Sequence, residues 1–241
     1  MPIRTSTDAA VTTITIERPE RRGALNLAHL EELDAAVRQA VADGARALVL
    51  TGSDGHFCAG ADLTELEDVS FTVRLGEVLQ HLASLPITTV AAISGSCMGL
   101  GMQLALACDL RVVADGSRFA VPVARLGLMV DRWTLDRLRR HVGEGTARAM
   151  VLTAEVLDAD DAWRLGLTQR RGDLGSAQEL AARAVPLAPL TQSGSKRGLD
   201  LADGEDGRAY EEAFAAAWAS EDLAEGRAAF AERRSPTFRG R

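Results

Sequence analysis

Hydrophobic and polar positions along the first half of the chain predict strands and helices in turn. Residues 10–17, AVTTITIE, alternate apolar and hydroxyl side chains, a pattern typical of a half-buried strand. Residues 28–42 instead repeat leucine and valine at intervals of three and four, which places these side chains on one face of a helix. The chain therefore begins as a strand followed by an amphipathic helix.

Short apolar runs separated by longer periodic segments continue this alternation. Four of these runs predict further strands, at residues 46–51, 88–93, 110–114 and 118–122. Helices are predicted between them at residues 64–85, which end at Pro86, and at residues 102–109. Strands that alternate with helices favour an α/β core.

From residue 131 onward the pattern becomes mostly helical. Helices are predicted at residues 132–142, 144–153, 158–165, 176–188 and, with many alanines between aromatic side chains, 206–234. Pro186 and Pro189 bracket a break before the last of these segments. We therefore divide the chain into a core at residues 1–190 and a C-terminal helical region at residues 191–241.

Composition and charge narrow the classes of function. The 241 residues are 46% hydrophobic and 25% charged, which is ordinary for a globular protein, and only the first and last few residues suggest disorder. The net charge of −7 makes nucleic acid a poor partner. The N-terminus lacks an apolar signal segment, and no apolar run approaches the length of a membrane span, so we expect a cytoplasmic protein without membrane insertion.

Cysteine and histidine usage argues against metal and disulfide chemistry. The three cysteines contain no CxxC pair, and the four histidines are scattered singly. Neither a zinc cluster nor a disulfide scaffold fits this pattern, and we expect no bound metal.

Two glycine-rich loops are the strongest candidates for chemistry. Residues 57–63, FCAGADL, and residues 94–101, SGSCMGLG, each follow a predicted strand and precede a predicted helix. The glycines let a ligand approach the backbone closely, and free N–H groups at a helix start can bind an oxyanion. The alternative is a pair of tight turns without function. Neither loop carries the endings of a P-loop or a dinucleotide-binding fingerprint.

The second loop also contains a G-x-C-x-G pattern, GSCMG, similar to a nucleophile elbow. In that interpretation Cys97 is the nucleophile of a hydrolase, with Asp109 or Asp115 and His141 downstream. The residues around the loop favour a different function.

Several segments together resemble the enoyl-CoA hydratase/isomerase family of the crotonase superfamily. They are ERPERRGALN, FCAGADL, SGSCMGLG, MQLALACDLRVVA, RFAVPVARLGL and AFAERRSPTF, in the family's order and spacing over nearly the whole chain. The resemblance implies an α/β fold, a crotonase-like spiral of ββα units with a helical C-terminal trimerisation region. It also implies a homotrimer or a dimer of trimers.

The resemblance implies a site for an acyl-CoA thioester, with no permanently bound cofactor. Backbone N–H groups of Ala61 and Leu100 would form an oxyanion hole for the thioester carbonyl. The residues carried over as the coenzyme A track are Arg22, with Arg21 as an alternative, Ala24, Leu25, Ala59, Ala61, Asp62, Leu63 and Thr64. Phe230 and Arg233 would cover the coenzyme A, often from a neighbouring subunit, unless they are a helix-core side chain and a solvated charge.

Both glutamates that hydratases of the family use are replaced. Gln103 stands at the first of these positions and Val123 at the second. Neither side chain can exchange a proton near neutral pH, so hydratase activity does not carry over, and whether the chain is an enzyme is left open.

One acid lies close to the missing pair. Asp131 matches a loop position where dienoyl-CoA isomerases of the family hold a proton-transferring aspartate, so it is a candidate catalytic acid. The alternative is an N-cap for the following helix. Trp133 is a candidate for the acyl pocket, or a residue of the core.

These features favour a protein that binds fatty acyl-CoA with little or no hydratase activity and presents it to partner proteins of fatty-acid synthesis. In this it resembles actinobacterial paralogues that lack the catalytic glutamates. The alternative is an active enoyl- or dienoyl-CoA isomerase, or a hydratase-like enzyme, that uses Asp131.

Overall fold

A computed structural model describes residues 2–64, 69–201 and 205–241 of the chain. Its strands are β1 Ile3–Asp8, β2 Val11–Ile16, β3 Ala47–Gly52, β4 Thr88–Ile93, β5 Ser96–Met98, β6 Leu110–Val113, β7 Arg118–Ala120, β8 Val156–Asp158 and β9 Arg170–Arg171. Its helices are α1 Leu27–Ala42, α2 Val69–Ser84, α3 Leu100–Ala107, α4 Arg132–Leu152, α5 Ala159–Arg164, α6 Leu174–Ala182, α7 Pro189–Asp200, α8 Arg208–Trp218 and α9 Glu221–Glu232. Two short 3-10 helices lie at Pro19–Arg21 and Pro122–Leu126.

The strands form two sheets. The larger sheet has the order β1-β2-β3-β4-β6-β9 and is parallel except for the β1–β2 hairpin. The smaller sheet has the order β5-β7-β8, with β7 and β8 antiparallel. The prediction of an α/β fold is therefore confirmed. Parallel strands that are neighbours in the larger sheet are connected through helices, as in a fold of repeated strand–helix units.

Helices cover both faces of the larger sheet, which explains why its central strands β2, β3 and β4 are buried almost throughout. On one face, α6 packs Ala177 and Ala181 against Val49, Val90 and Val112. On the other face, residues of α1, α2 and α3 form the main hydrophobic core with the inward side chains of the strands. This second face carries the candidate site.

Local signals explain where several helices begin and break. Asn26 caps α1 by accepting a hydrogen bond from the His29 N–H. Gly143 has φ 77° and ψ 160° inside α4, so the helices predicted at residues 132–142 and 144–153 are separate segments, as expected. The helix predicted at residues 64–85 runs from Val69 to Ser84, and residues 65–68 lie outside the described part of the chain.

Two expectations about the chain's ends are wrong. The first residues form β1, which pairs with β2 along its whole length. The last residues are also ordered, because Asp222 accepts hydrogen bonds from the Arg239 and Gly240 N–H groups at 2.7 and 2.8 Å. The break that Pro186 and Pro189 predicted is confirmed: the helix expected at residues 176–188 ends as α6 at Ala182, and Pro189 opens α7, since its fixed φ suits the first position of a helix.

The proposed division at residue 190 falls in the first turn of α7. Helices α7, α8 and α9 form the C-terminal helical region, with α7 packed along α8. Within the described residues, every helix is too short or too polar to cross a lipid bilayer.

Candidate functional site

The two glycine-rich loops lie side by side. Cys58 of the first loop forms an isolated parallel bridge with Cys97 of the second, through the Cys58 N–H to the Ser96 carbonyl at 2.9 Å and the Met98 N–H to the Cys58 carbonyl at 3.0 Å. The two loops thus meet at one place, which is what the family resemblance implied for Ala61 and Leu100.

Glycine at position 101 is what permits this approach. A Cβ atom there would lie 2.2 Å from the Cys58 carbonyl oxygen and 2.8 Å from its Cβ. Gly99, with φ 52° and ψ −112°, turns the chain into α3 just before. The first turn of α3 is therefore fixed directly against the first loop.

The N–H groups of Ala61 and Leu100 are both available for a ligand. The β-bridge between Ala61 and Leu25 is made by the Gly60 carbonyl and the Asp62 N–H, which both bond to Leu25. The Ala61 N–H takes no part in it. Leu100 is the first residue of α3, where an N–H has no partner inside the helix. Within the described parts of the chain, neither N–H donates to another residue.

Both residues border one cavity of about 400 Å³, a size in the range of small-molecule sites. Its walls come from both glycine loops, α2, the 3-10 helix at Pro122–Leu126 and the loop before α4. Most of the lining side chains are apolar: Leu63, Phe71, Val73, Leu75, Met98, Val123, Leu126, Leu128, Met129 and Val130. Two free N–H groups at the side of an apolar cavity suit a thioester carbonyl and its acyl chain.

Gln103 and Val123 both line the cavity, so the two positions that the family resemblance predicts to have lost their glutamates lie in one site. Gln103 is 5% exposed, and its Nε2 donates to the Thr134 hydroxyl at 2.9 Å. Val123 is partly buried and packs against the core. At these two positions the cavity offers an amide and a methyl surface.

Asp131 borders the same cavity and is also a helix cap. Its Oδ1 accepts a hydrogen bond from the Thr134 N–H at 2.7 Å, which satisfies an N–H group at the start of α4. The capping interpretation of Asp131 is therefore confirmed. Its exposed side chain still lies at the cavity wall.

Trp133 is placed elsewhere by the structure. The tryptophan does not line the cavity; its side chain packs against the core, and the guanidinium of Arg137 lies 4.6 Å from the centre of its ring. It follows Asp131 by two residues on α4, so a helical turn carries the ring away from the cavity. The core interpretation fits Trp133, and the acyl-pocket prediction is corrected.

The coenzyme A track predicted from the sequence forms a continuous strip of backbone beside the first loop. The Ala59 N–H donates to the Arg22 carbonyl at 3.0 Å, and the Leu25 N–H donates to the Gly60 carbonyl at 3.0 Å. Arg22 is exposed and Ala24 partly buried. The Leu25 side chain is fully buried, and its backbone N–H and carbonyl both bond to the first loop. Leu25 therefore holds the strip in place and does not present its side chain to a ligand.

Asp62 serves the loop rather than presenting a charge to solvent. It is 5% exposed and accepts hydrogen bonds from the Thr64 hydroxyl at 2.7 Å and from Arg18 at 3.2 Å. The hydrogen bond from Thr64, followed by that from Arg18, lowers the pKa of the Asp62 carboxyl. Both Asp62 and Thr64 therefore shape the strip.

Arg18 is a residue that the sequence analysis did not single out. Its Nη1 also donates to the Ala24 carbonyl at 2.8 Å, so one guanidinium joins both sides of the strip. Its contact with Asp62 spans 44 positions, and in the sequence only the neighbouring Arg21 and Arg22 pointed to this segment.

Phe230 and Arg233 lie apart from the cavity in the single chain. Phe230 is 88% exposed and borders a groove between the C-terminal helices, and Arg233 is exposed at the end of α9. The chain's own fold does not bring them to the glycine loops. Phe230 is not a core side chain.

The hydrolase interpretation of Cys97 fails on burial. Cys97 is fully buried in β5, and burial raises the pKa of its thiol well above the ordinary value. His141 lines a different pocket, beside α7, where burial first and Arg111 second lower its pKa to about 3. A protonated, inaccessible thiol without a base beside it is no nucleophile.

Sequence comparison supports the resemblance over nearly the whole chain. The sequence model of the enoyl-CoA hydratase/isomerase family matches residues 6–241. A protein of Mycobacterium tuberculosis named "Probable enoyl-CoA hydratase echA6" is 45% identical over 96% of each chain. The short-chain-enoyl-CoA hydratase of Clostridium acetobutylicum is 31% identical over 94% of this chain and 93% of the relative.

Solved structures agree in fold. The enoyl-CoA hydratase of Bacillus anthracis superposes with a TM-score of 0.91 over 100% of both chains at 26% identity. Pseudomonas aeruginosa DspI gives a TM-score of 0.91 over 99% of this chain and 97% of its own, at 30% identity.

Proposed function

The chain belongs to the enoyl-CoA hydratase/isomerase family, and from that premise we propose that it binds a fatty acyl-CoA thioester in the cavity with little or no hydratase activity. The observation that carries the proposal is the pairing of two free N–H groups, at Ala61 and Leu100, with an amide and a valine where two carboxylates would be needed. This arrangement retains the groups that bind a thioester but lacks the carboxylates that hydration requires.

The binding half needs only backbone groups. Two N–H donors aimed at the thioester oxygen stabilise its partial negative charge, and the positive end of the α3 dipole adds to this. The apolar wall excludes water from an acyl chain, and burial of its surface contributes about 25 cal/mol per Å². Coenzyme A would lie along the strip at residues 22–25 and 59–64.

The catalytic half lacks its proton carriers. Hydration of an enoyl thioester requires a base to activate water and an acid to protonate the α-carbon, each worth about 10²–10⁴ in rate. Gln103 has no titratable proton, and its Nε2 is already bonded to Thr134. Val123 has no polar group on its side chain.

Isothermal titration with acyl-CoAs of rising chain length, beside a hydration assay on the same sample, tests the proposal. We expect affinity to rise with chain length above that of free coenzyme A, while crotonyl-CoA and longer enoyl-CoAs stay unconverted. Hydration at ordinary enzyme rates, or no gain in affinity over coenzyme A, would overturn it.

A second candidate is an enoyl- or dienoyl-CoA isomerase that uses Asp131. It is favoured by the position of that carboxylate on the cavity wall. A broad panel of dienoyl-, enoyl- and acyl-CoAs tests it: a shifted double bond in any product would favour the isomerase, and an unchanged panel would remove it.

We further propose assembly as a homotrimer or a dimer of trimers, with Phe230 and Arg233 reaching the coenzyme A of a neighbouring subunit. A groove of about 610 Å³ between the C-terminal helices exposes aromatic side chains, which supports a partner there. We also propose that the protein is cytoplasmic and that it delivers the acyl group to proteins of fatty-acid synthesis.

A further inference from the structure

A second pocket of about 480 Å³ lies between α4, α7 and the first residues of β4 and β6. Among the described residues, its lining has none in common with that of the cavity at the glycine loops. Helix α3 runs between the two: Leu100 at its start borders the cavity, and Cys108 just after its end borders the second pocket. The second pocket is therefore a separate feature, to which acyl-CoA binding gives no role.

Charged side chains in this lining leave one cation without an acidic partner. Lys196 is paired with Asp109 at 2.9 Å, and Arg137 with Asp200 at 2.7 Å. Arg140, the third cation of the lining, forms no ion pair within the described part of the chain, and its Nη1 reaches only the Asp200 backbone carbonyl at 3.4 Å. The exposed guanidinium of Arg140 is therefore available to an anion.

His141 adds an unused hydrogen-bond donor on the same face of α4, since residues 137, 140 and 141 are three and four positions apart. Within the described ranges, neither ring nitrogen of His141 has a hydrogen-bond partner, and neither is a fully enclosed atom. Burial first, and then the charges of Arg111, Arg137 and Arg140, lower the pKa of His141 to about 3. The ring is therefore neutral near pH 7 and can donate one N–H to a ligand.

The shape and charge of the pocket narrow the class of anion. Its volume is far larger than an inorganic ion, and much of the remaining wall is apolar: Pro86, Ile87, Leu110 and Leu199. The carboxylates of Asp109 and Asp200 share the lining, so a dianion would be repelled, whereas a single negative charge matches the surplus charge of Arg140. A planar guanidinium binds a carboxylate through two parallel hydrogen bonds.

We propose that the second pocket binds a small organic monocarboxylate. Its carboxylate pairs with the Arg140 guanidinium and accepts a hydrogen bond from the His141 ring, and its apolar body packs against the aliphatic wall. The ion pairs of Lys196 and Arg137 stay intact, because the ligand uses only groups that the fold leaves unbonded. This site goes beyond the proposed acyl-CoA binding and is independent of it.

Isothermal titration with cyclohexanecarboxylate, a compact apolar acid, tests the class of ligand at pH 7. We expect one ligand per chain with a dissociation constant of about 1 mM or lower. Cyclohexanecarboxamide, which has the same shape without the charge, should bind at least about tenfold more weakly, because it loses the charge-assisted hydrogen bonds. No detectable binding of the acid, equal binding of the amide, or equal binding of inorganic phosphate would overturn the inference.

Three variants locate the bound acid. Arg140→Gln removes the unpaired charge from an exposed position, and His141→Phe removes the ring donor; each should weaken binding of the acid about tenfold. Arg139→Gln is the matched control, because Arg139 is an exposed neighbour on α4 outside the lining, and it should keep the parent's affinity.

Thermal unfolding of each variant verifies that it is folded, and Arg140→Gln, at the surface, keeps the test valid if His141→Phe is not. An acid that binds instead in the cavity at the glycine loops would keep its affinity in Arg140→Gln. That result would overturn the inference.

Discussion

Gly101 shows how much of the site depends on single atoms. The space for its side chain is occupied by the Cys58 carbonyl oxygen, so the contact between α3 and the first loop has no tolerance for a methyl group. This contact fixes the Leu100 N–H relative to the Ala61 N–H. The relative position of these two N–H groups therefore depends on the absence of a side chain at position 101.

Gly101→Ala should therefore destabilise the protein and weaken acyl-CoA binding together. We expect a loss of about 2–4 kcal/mol in the free energy of unfolding, because the new Cβ meets rigid backbone. Gly145→Ala is the control: its Cβ would meet nothing within 4 Å, and alanine is the better helix former by about 1 kcal/mol. Denaturant unfolding measures both, and equal stabilities of the two variants would contradict the argument.

Asp131 can be tested without harm to its helix. Asparagine caps helices as well as aspartate, so Asp131→Asn should leave the free energy of unfolding within about 0.5 kcal/mol of the parent. The binding account expects little change in acyl-CoA affinity and no activity to lose. An isomerase activity that the substitution abolishes, at unchanged affinity, would favour the second candidate.

At the scale of elements, the polar contact between α1 and α2 supports the wall of the cavity. Asp34 of α1 is 3% exposed and is bonded by Arg74 at 2.7 Å and by His81 at 2.5 Å from α2. Burial raises the pKa of Asp34, but the hydrogen bonds from Arg74 and His81 outweigh it and hold the pKa below its usual value. Because α2 also supplies Phe71 and Leu75 to the cavity, this contact links stability to the site.

Asp34→Asn should cost about 1–3 kcal/mol at neutral pH, since it removes a buried charged acceptor. The folded pKa is lowered, so the stabilisation is complete above the ordinary value of 3.8 and is lost as the pH falls through the folded pKa. The difference in unfolding free energy between parent and variant should therefore shrink toward zero in acid. Glu77→Gln, which removes an exposed partner of Arg74, is the control and should change stability by less than about 0.5 kcal/mol.

The elements also show what the sequence could and could not predict. Periodicity located α1, β3 and β4, because their apolar spacing is local. It missed β1, whose mostly polar residues are ordered by backbone pairing with β2, and α7, which begins at a proline and packs on α8. The same limit applies to the site: Ala61 and Leu100 lie in recognisable loops, whereas the pairing of Gln103 with Thr134 spans 31 positions and depends on the packing of α3 on α4.

At the scale of the whole molecule, the candidate site lies in the core, while the surface that we propose for assembly lies in the C-terminal helices. Phe214, Trp218 and Phe230 are 49%, 65% and 88% exposed along one groove, a large apolar area for a single chain. Residues predicted to cover coenzyme A lie on this same region. Assembly and ligand binding are therefore expected to depend on one another.

Trp218→Asp should lower the mass of the assembly by placing a charge in the proposed interface. Light scattering should give three or six times 25.6 kDa for the parent and a smaller species for the variant. Leu152→Asp, at an exposed leucine outside the groove, should keep the parent's mass. A monomeric parent would contradict the proposed assembly.

The separation of binding from hydration is tested most directly by a single-turnover experiment, with the protein in excess over crotonyl-CoA and the products followed by mass spectrometry. Slow product release cannot hide chemistry under these conditions, because one conversion per site is enough to be seen. The account predicts that the enoyl-CoA remains bound and unconverted at the rate of the protein-free control. Stoichiometric formation of 3-hydroxybutyryl-CoA within seconds would contradict it.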